Sequence, residues 1–203
     1  MPMKSKQIQQ TYRWMAPMYD ALFRRFYERM RLAGIEALGL KPSDTVVLVG
    51  VGTGLDIRLL PPVSRILAID LTPEMLRRAA RIPSAGPANF VLADGARLPL
   101  RAESASAVLL HLILSVAPDA RALLEETVRI LSAGGRVSIL DHFAPDGRIS
   151  LLRRLLSRAP IILGTHFDRP LESMMVGLPL RVLAERRFVG GVYRVVVLER
   201  VAI

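Results

Sequence analysis

Residues 46–56 read VVLVGVGTGLD, four aliphatic residues followed by three glycines at alternate positions. The aliphatic run is typical of a buried parallel strand, and the glycines after it favour a tight turn into a helix. Glycine tolerates positive φ and lets a ligand approach the backbone closely, as the first turn of a nucleotide-binding α/β sheet requires. The segment therefore predicts a nucleotide-like cofactor site at Gly50, Gly52 and Gly54.

The glycine spacing limits the kind of cofactor. A dinucleotide-binding fingerprint would place its third glycine at position 55, which is Leu55 here. This spacing disfavours NAD. A tight turn that binds no ligand is the alternative interpretation of the glycines taken alone.

Aliphatic runs alternate with helical patterns on both sides of this segment. Strands are predicted over Thr45–Gly50, Arg65–Asp70, Asn89–Ala93, Ala105–Leu110 and Arg136–Asp141. Helices are predicted over Asp56–Leu60, Thr72–Ile82 and Asp119–Leu131, and a helical cap over residues 5–39. The runs Leu180–Phe188 and Val192–Val201 flank Gly190-Gly191, which indicates a hairpin. The order predicts an α/β fold with a mostly parallel seven-stranded sheet, an antiparallel C-terminal hairpin and an N-terminal helical cap.

Length and composition indicate one domain. The 203 residues are 51% hydrophobic, enough for a single core. We expect a domain over residues 1–203, divided into a helical cap or lid (1–40), a cofactor-binding core (41–145) and a substrate-side helix with the terminal hairpin (146–203). Cysteine is absent, which excludes a cysteine nucleophile. No secretory pattern opens the chain, and the apolar stretch Ala102–Ala117 is too short and polar to span a bilayer, so a cytoplasmic location is expected.

Basic residues exceed acidic ones, with a formal net charge of +10. Such an excess permits attraction to anionic lipid headgroups or to nucleic acid, and a solvated basic surface is an equally good interpretation. Ile149–Arg158 is basic and amphipathic, as in a helix at a membrane interface or an ordinary surface helix.

Two acids follow neighbouring predicted strands. Asp70 ends the second strand, where a carboxylate can accept hydrogen bonds from both hydroxyls of an adenosine ribose. Asp94 ends the third strand, where it can receive the adenine amine. Each could instead cap the helix that follows. Their register with the glycine turn favours the binding role.

Over about residues 12–142 the sequence resembles the class I S-adenosylmethionine-dependent methyltransferases. Four features carry the resemblance: the glycine turn, Asp70, Asp94-Gly95-Ala96, and Leu131–Arg136 before the fifth strand. Within the class it is most similar to bacterial phosphatidylethanolamine N-methyltransferases, through Tyr12–Asp20, His111–Asp119 and Asp141–Phe143. The ubiquinone and menaquinone biosynthesis methyltransferases are the neighbouring group.

The resemblance implies a Rossmann-like fold, S-adenosyl-L-methionine as cofactor and no metal. The implied cofactor contacts are Tyr19, Gly50, Gly52, Gly54, Asp70, Leu71, Asp94, Gly95, Ala96 and His111. Tyr19 and His142 are the candidates for handling the acceptor amine, because an imidazole at the carboxyl edge of the sheet suits proton transfer. Structural roles remain open for both histidines, and Tyr12, Trp14 and Tyr19 form either an aromatic lid or helix packing.

One departure from the family affects the cofactor site. The families usually carry an acid two residues before the first glycine, commonly interacting with the methionine amino group, whereas this chain has Leu48. The usual fourth-strand Asp is replaced by Ser106. We expect reduced cofactor affinity, or an ammonium held by Tyr19 or a backbone carbonyl.

Several functions remain open at this point. The leading hypothesis is methylation of a phosphatidylethanolamine amine by a protein associated peripherally with the anionic inner membrane face. A quinone precursor or another small molecule, methylated at carbon or oxygen, is the nearest alternative acceptor. The charge permits RNA binding, but no base-methylation motif or added RNA-binding domain accompanies it, so no nucleic acid partner is expected. A non-catalytic cofactor- or membrane-binding module is the alternative from another class.

Overall fold

The fold is described by a computed structural model over residues 27–143 and 170–202. Seven strands form one sheet in the order β3-β2-β1-β4-β5-β7-β6. The strands are β1 Thr45–Val49, β2 Arg65–Asp70, β3 Ala88–Leu92, β4 Ala105–His111, β5 Leu131–His142, β6 Leu180–Phe188 and β7 Tyr193–Arg200. Strands β1 to β5 are parallel, and β7 runs antiparallel to both β5 and β6. The predicted parallel sheet with a terminal hairpin is confirmed.

Four helices accompany the sheet in the described ranges. They are α1 (described over residues 27–38), α2 Pro73–Ala79, α3 Ala120–Ile130 and α4 Leu171–Met175. The helix predicted over Asp56–Leu60 is only a 3-10 turn, Ile57–Leu59, because Leu60 precedes Pro61 and a residue before proline is disfavoured in a helix. For the same reason α2 ends short of Ile82, which precedes Pro83. Asp119 caps α3 by accepting the Ala122 N–H at 2.9 Å.

Strand β5 is longer than predicted at its amino end. The sequence pattern assigned Leu131 to the preceding helix and began the strand at Arg136. Leu131 instead pairs with Ala105 of β4, and a register shift follows between Ala105 and Ala107. The pairing recruits the Gly134-Gly135 segment into the strand, although glycine has little intrinsic strand preference.

Alternate side chains of the central strands enter two cores, one on each face of the sheet. Val47 and Val49 pack in the core that includes α3 and α4. Val46 and Leu48 pack in the core that includes α1 and α2. Each fully buried aliphatic side chain contributes about 1.5–3 kcal/mol, so both faces hold the strands rigidly in place.

The carboxyl ends of the parallel strands meet at one edge of the sheet. The β6–β7 turn lies at the same edge, because Tyr193 pairs with His142 of β5 on one side and with Phe188 of β6 on the other. No helix in residues 27–143 and 170–202 is long and apolar enough to cross a bilayer.

Candidate cofactor cleft and acceptor edge

An open cleft lies at the carboxyl edge of the sheet, around the ends of β1, β2, β3 and β4. It encloses about 810 Å³, including space open to solvent, and most of its lining surface is apolar. Its lining includes Gly50, Gly52, Asp70, Leu71, Met75, Asp94, Gly95, Leu112, Ile113, Val116 and Leu123. An apolar cleft with a few polar groups is the usual form of a small-molecule site, and this one lies at the topological switch point of an open α/β sheet.

The glycine turn forms one wall of the cleft. Gly50, Gly52 and Gly54 all have positive φ, at +68°, +55° and +87°. A Cβ on Gly50 would lie 2.6 Å from Ile113 Cδ1, whereas a Cβ on Gly52 would meet no atom within 4 Å. Gly50 is therefore required for packing, and Gly52 leaves space for a ligand against its backbone.

Asp70 is a half-buried acid of the cleft. Its Oδ2 accepts the Gly52 N–H at 2.8 Å and its Oδ1 accepts the Thr72 N–H at 2.9 Å. Burial raises the pKa of Asp70 above its ordinary value, and the hydrogen bond from Gly52 only partly offsets this effect. The carboxylate therefore ties β2 to the glycine turn.

The other predicted cofactor residues lie along the same edge. Leu71 lines the cleft and is 36% exposed, which provides an apolar face for a flat ring. Asp94 is exposed, and its Oδ1 accepts the Ala96 N–H at 2.9 Å. A Cβ on Gly95 would lie 2.7 Å from Val49 Cγ1, so glycine allows this turn to approach β1 closely. The structure brings Asp70, Leu71, Asp94 and Gly95 into one cleft, and their contacts with a cofactor stay predictions.

The two departures from the family pattern lie away from the lining of the cleft. Leu48 is 2% exposed and packs on the face that includes α1 and α2. Ser106 Oγ accepts the Thr45 N–H at 3.3 Å, near the amino end of the sheet and far from the cleft. Neither side chain is placed to hold an ammonium group.

His111 lies in a buried polar network rather than in the lining of the cleft. Its Nδ1 is 2.7 Å from Asp56 Oδ1 and its Nε2 is 2.9 Å from Ser138 Oγ. Arg31 of α1 forms an ion pair with the other oxygen of Asp56. The next two residues, Leu112 and Ile113, do line the cleft, so a direct cofactor contact from His111 stays a prediction.

His142 belongs to an aromatic group at the β5–β7 end of the same edge, which we call the edge cluster: Tyr27, His142 and Tyr193. The Tyr27 and Tyr193 hydroxyls are 2.8 Å apart, and their rings pack edge to face at 5.4 Å. The His142 ring lies 5.9 Å from the Tyr193 ring in the same arrangement. Leu112 both packs against this region and lines the cleft, so the edge cluster borders the cleft.

Asp141 organises the protein beneath the edge cluster. It is fully buried, and its Oδ2 accepts the Ser115 N–H at 3.0 Å. Its Oδ1 accepts the His142 N–H at 2.8 Å and lies 3.1 Å from His142 Nδ1. The carboxylate thus links the loop that forms one wall of the cleft to the imidazole.

Several of these residues were not singled out from the sequence. Asp141 stands beside His142 in the quoted Asp141–Phe143 motif, and its acidic character inside a hydrophobic strand was the available signal. Tyr27, Tyr193, Arg31 and Asp56 carry no local signal, because their partners are distant in sequence. Tyr19, Tyr12, Trp14 and Ile149–Arg158 lie outside the described residues.

A family model described as a methyltransferase domain matches residues 47–139. A phosphatidylethanolamine N-methyltransferase from Cereibacter sphaeroides is 31% identical over 181 residues, covering 85% of this chain and 86% of that protein. A ubiquinone/menaquinone biosynthesis C-methyltransferase from Syntrophotalea carbinolica is 30% identical over 139 residues, covering 64% of this chain and 59% of that protein. An arsenite methyltransferase from Halobacterium salinarum is 31% identical over 109 residues, covering 50% of this chain and 28% of that protein. This chain therefore spans less than two thirds of the length of the last two relatives.

Solved structures share the fold at low identity. A geranyl diphosphate methyltransferase in complex with S-adenosylmethionine superposes with a TM-score of 0.72 at 15% identity, covering 89% of this chain and 88% of that one. The [4+2]-cyclase SpnF superposes with a TM-score of 0.81 at 14% identity, covering 98% and 97%. Because one of these proteins is a cyclase, the fold alone does not fix the reaction.

Proposed function

Because this chain belongs to the class I S-adenosylmethionine-dependent methyltransferases, we propose that it methylates the headgroup amine of a phospholipid, with phosphatidylethanolamine as acceptor. Its cofactor is S-adenosylmethionine. One observation carries the choice of acceptor: the similarity to a phosphatidylethanolamine N-methyltransferase extends over 86% of that protein's length. The similarity to the ubiquinone/menaquinone biosynthesis C-methyltransferase extends over only 59% of that protein's length.

The residues of the cleft fit the adenosine part of this cofactor. The Asp70 carboxylate suits two ribose hydroxyls, and the open space at Gly52 allows a ligand to lie against the turn. Leu71 and Met75 provide apolar surface for an adenine ring. The cofactor ammonium has no acid at position 48 to contact, so we assign it to backbone carbonyls of the glycine turn or to Tyr19.

S-adenosylmethionine supplies a methyl group on a positively charged sulfur, and transfer forms the nitrogen–carbon bond as the carbon–sulfur bond breaks. The chain has to align the acceptor with this group and exclude water. Leu112, Ile113 and Val116 line the cleft beside the edge cluster and provide a dry wall there. Leu112 has a φ of +62°, an unusual conformation for leucine that the Leu112 N–H to Leu140 C=O hydrogen bond holds in place at 2.7 Å.

The acceptor amine must lose a proton before it attacks, because an ammonium nitrogen has no lone pair. We assign this step to His142. The Asp141 carboxylate, 3.1 Å from Nδ1, favours the tautomer with hydrogen on Nδ1, in which the lone pair that accepts a proton is on Nε2. The electron-rich face of Tyr193, which is partly exposed, would also favour a partly methylated, cationic headgroup nearby.

A lipid acceptor implies work at a membrane surface. We propose peripheral association with an anionic membrane from the cytoplasmic side, supported by the net charge of +10. We propose that the basic segment Ile149–Arg158, identified in the sequence, contacts the membrane.

The test is a single-turnover and steady-state assay of S-adenosylhomocysteine release by the full chain. Vesicles contain either phosphatidylethanolamine or phosphatidylcholine, whose amine has no site left to methylate, at equal anionic lipid content. We expect release only with phosphatidylethanolamine, together with mono-, di- or trimethylated lipid. Release with a demethylated quinone precursor, and none with lipid, would replace the lipid proposal by the quinone alternative. Lipid and cofactor binding with no release on any acceptor would favour a non-catalytic module.

The role of His142 is tested by His142→Gln. We expect kcat at neutral pH to fall by about 10²–10⁴-fold, with S-adenosylmethionine affinity unchanged, because general base catalysis is lost. The deficit should shrink at alkaline pH, where the amine is already deprotonated. A loss of the same size at every pH would show that His142 has only a structural role.

A further inference from the structure

We propose that Arg31, Asp56, His111 and Ser138 form a positioning network that sets the geometry of the cofactor cleft. All four side chains are buried. They come from four separate parts of the fold: α1, the segment after the glycine turn, the end of β4, and β5. The inference depends on the cofactor and not on the acceptor proposed above.

The contacts form one continuous chain across the inside of the protein. Arg31 pairs with one oxygen of Asp56, and His111 Nδ1 lies 2.7 Å from the other. His111 Nε2 lies 2.9 Å from the Ser138 hydroxyl. A neutral imidazole with hydrogen on Nδ1 satisfies every partner, donating to Asp56 and accepting from Ser138, and leaves the buried ion pair with no net charge.

The network joins the two walls of the cleft. Asp56 lies two residues after Gly54, the last glycine of the turn, and His111 immediately precedes Leu112 and Ile113 of the opposite wall. Holding Asp56 against His111 therefore fixes the separation between the glycine turn and the β4 end. Since these walls must contact the cofactor from two sides, a small change in their separation should weaken binding.

The packing around the network leaves little freedom. A Cβ on Gly34 of α1 would lie 2.4 Å from Ser138 Oγ and 3.1 Å from His111 Nε2. Burial by itself would raise the pKa of Asp56, but the charge of Arg31 and the contact with His111 outweigh it and lower that pKa. Asp56 is thus held as a carboxylate with one defined position.

A second ion pair joins the same two elements and serves as a matched control. Arg58 of the 3-10 turn pairs with Glu28 of α1 at 3.1 Å, but both side chains are about one-third exposed. Solvent-exposed ion pairs contribute little to folding stability. Buried ion pairs can fix the geometry of the groups around them, and breaking one destabilises the protein. Removing either pair removes the same number of charges. A difference in cofactor affinity between the two double variants therefore reflects the burial and position of the pair.

The experiment measures the dissociation constant for S-adenosylmethionine by calorimetry, and the melting temperature, in the full chain without acceptor. The main variant is Arg31→Met with Asp56→Asn, which removes both charges and leaves no unpaired ion. We expect its dissociation constant to rise about tenfold, in the range seen for residues that act on a site indirectly. Glu28→Gln with Arg58→Met should change it less than about twofold.

Two results would overturn the proposal. One is a folded main variant, with cooperative unfolding, that binds the cofactor as tightly as the natural chain. The other is an equal loss in the Glu28/Arg58 control. If the main variant fails to fold, Ser138→Ala is the deciding variant, because it removes only the hydroxyl that contacts His111 Nε2. A loss of cofactor affinity of about threefold or more then supports the network. Unchanged affinity rejects it. A lowered melting temperature alone indicates a stability role only.

Discussion

Replacing Asp70 by asparagine should separate cofactor binding from folding. The carboxylate accepts two backbone N–H groups and lies in the lining of the cleft. An asparagine side chain at this position would keep one acceptor oxygen and turn the other into an NH₂ donor. One hydrogen bond from a ribose hydroxyl to a charged acceptor is then lost, at about 1.5–3 kcal/mol. Asp70→Asn should therefore weaken S-adenosylmethionine binding by about 10–150-fold.

Stability should change much less than affinity. Burial raises the pKa of Asp70 in the folded protein. The protonated form of Asp70 therefore contributes to folding stability, and the charged form does not. That contribution is complete below the ordinary value of 3.8 and is lost as the pH rises through the higher folded value. At neutral pH the natural chain carries the cost of a partly buried charge, which asparagine removes. We expect the cofactor-free variant to unfold within about 1 kcal/mol of the natural chain, because this gain offsets the lost N–H acceptor.

Calorimetry at several pH values, with urea unfolding of the same samples, tests this prediction. Affinity in the natural chain should fall as the pH drops through the raised pKa of Asp70, since a protonated carboxyl is a poorer acceptor for ribose hydroxyls. The variant should lack this dependence. Asp44→Asn is the control, because Asp44 accepts the Lys41 N–H before β1, at the opposite edge of the sheet. Unchanged affinity in Asp70→Asn, or an equal loss in Asp44→Asn, would refute the assignment.

Other substitutions test the glycine turn and the core next to it. Gly50→Ala should lose both stability, by about 1–3 kcal/mol, and cofactor binding, because its Cβ would meet Ile113 at 2.6 Å. Gly52→Ala has open space there, so it should fold with about 1 kcal/mol of strain and lose binding selectively, as separate melting and calorimetry experiments would show. Leu48→Glu should destabilise the chain by more than about 3 kcal/mol in urea unfolding, because it buries a charge in an apolar core. Leu48→Met, the control, should cost less than about 1.5 kcal/mol; equal stability of the two would contradict the burial argument.

Local patterns in the sequence predicted the sheet and the cleft. Thr45–Val49 and Arg65–Asp70 appear as strands within one residue of their predicted bounds, because strongly aliphatic runs have one good environment in an α/β fold. Gly52 and Asp70 meet as expected, because both follow parallel strands at the same edge. Helix lengths were less predictable, since the prolines at 61 and 83 override the helical periodicity before them.

The polar interior was not predictable in the same way. Tyr27 and Tyr193 are 166 positions apart, and Arg31 is 25 positions from Asp56. No periodicity relates such residues, and only the packed sheet brings them together. His111 is an example, because no local pattern predicts Asp56 and Ser138, the polar partners that its two nitrogens face inside the protein.

The edge of the sheet has two parts, the predicted cofactor cleft and the edge cluster next to it. The methyltransferase-domain match ends at residue 139, so it includes the glycine turn and Asp70 but stops before Asp141 and His142. Tyr27 and Tyr193 also fall outside it. The acceptor should therefore be selected by the edge cluster and the segments next to it, while the matched core binds the cofactor. On this argument, substitutions at Tyr193 should change the KM for the acceptor and leave the S-adenosylmethionine affinity unchanged.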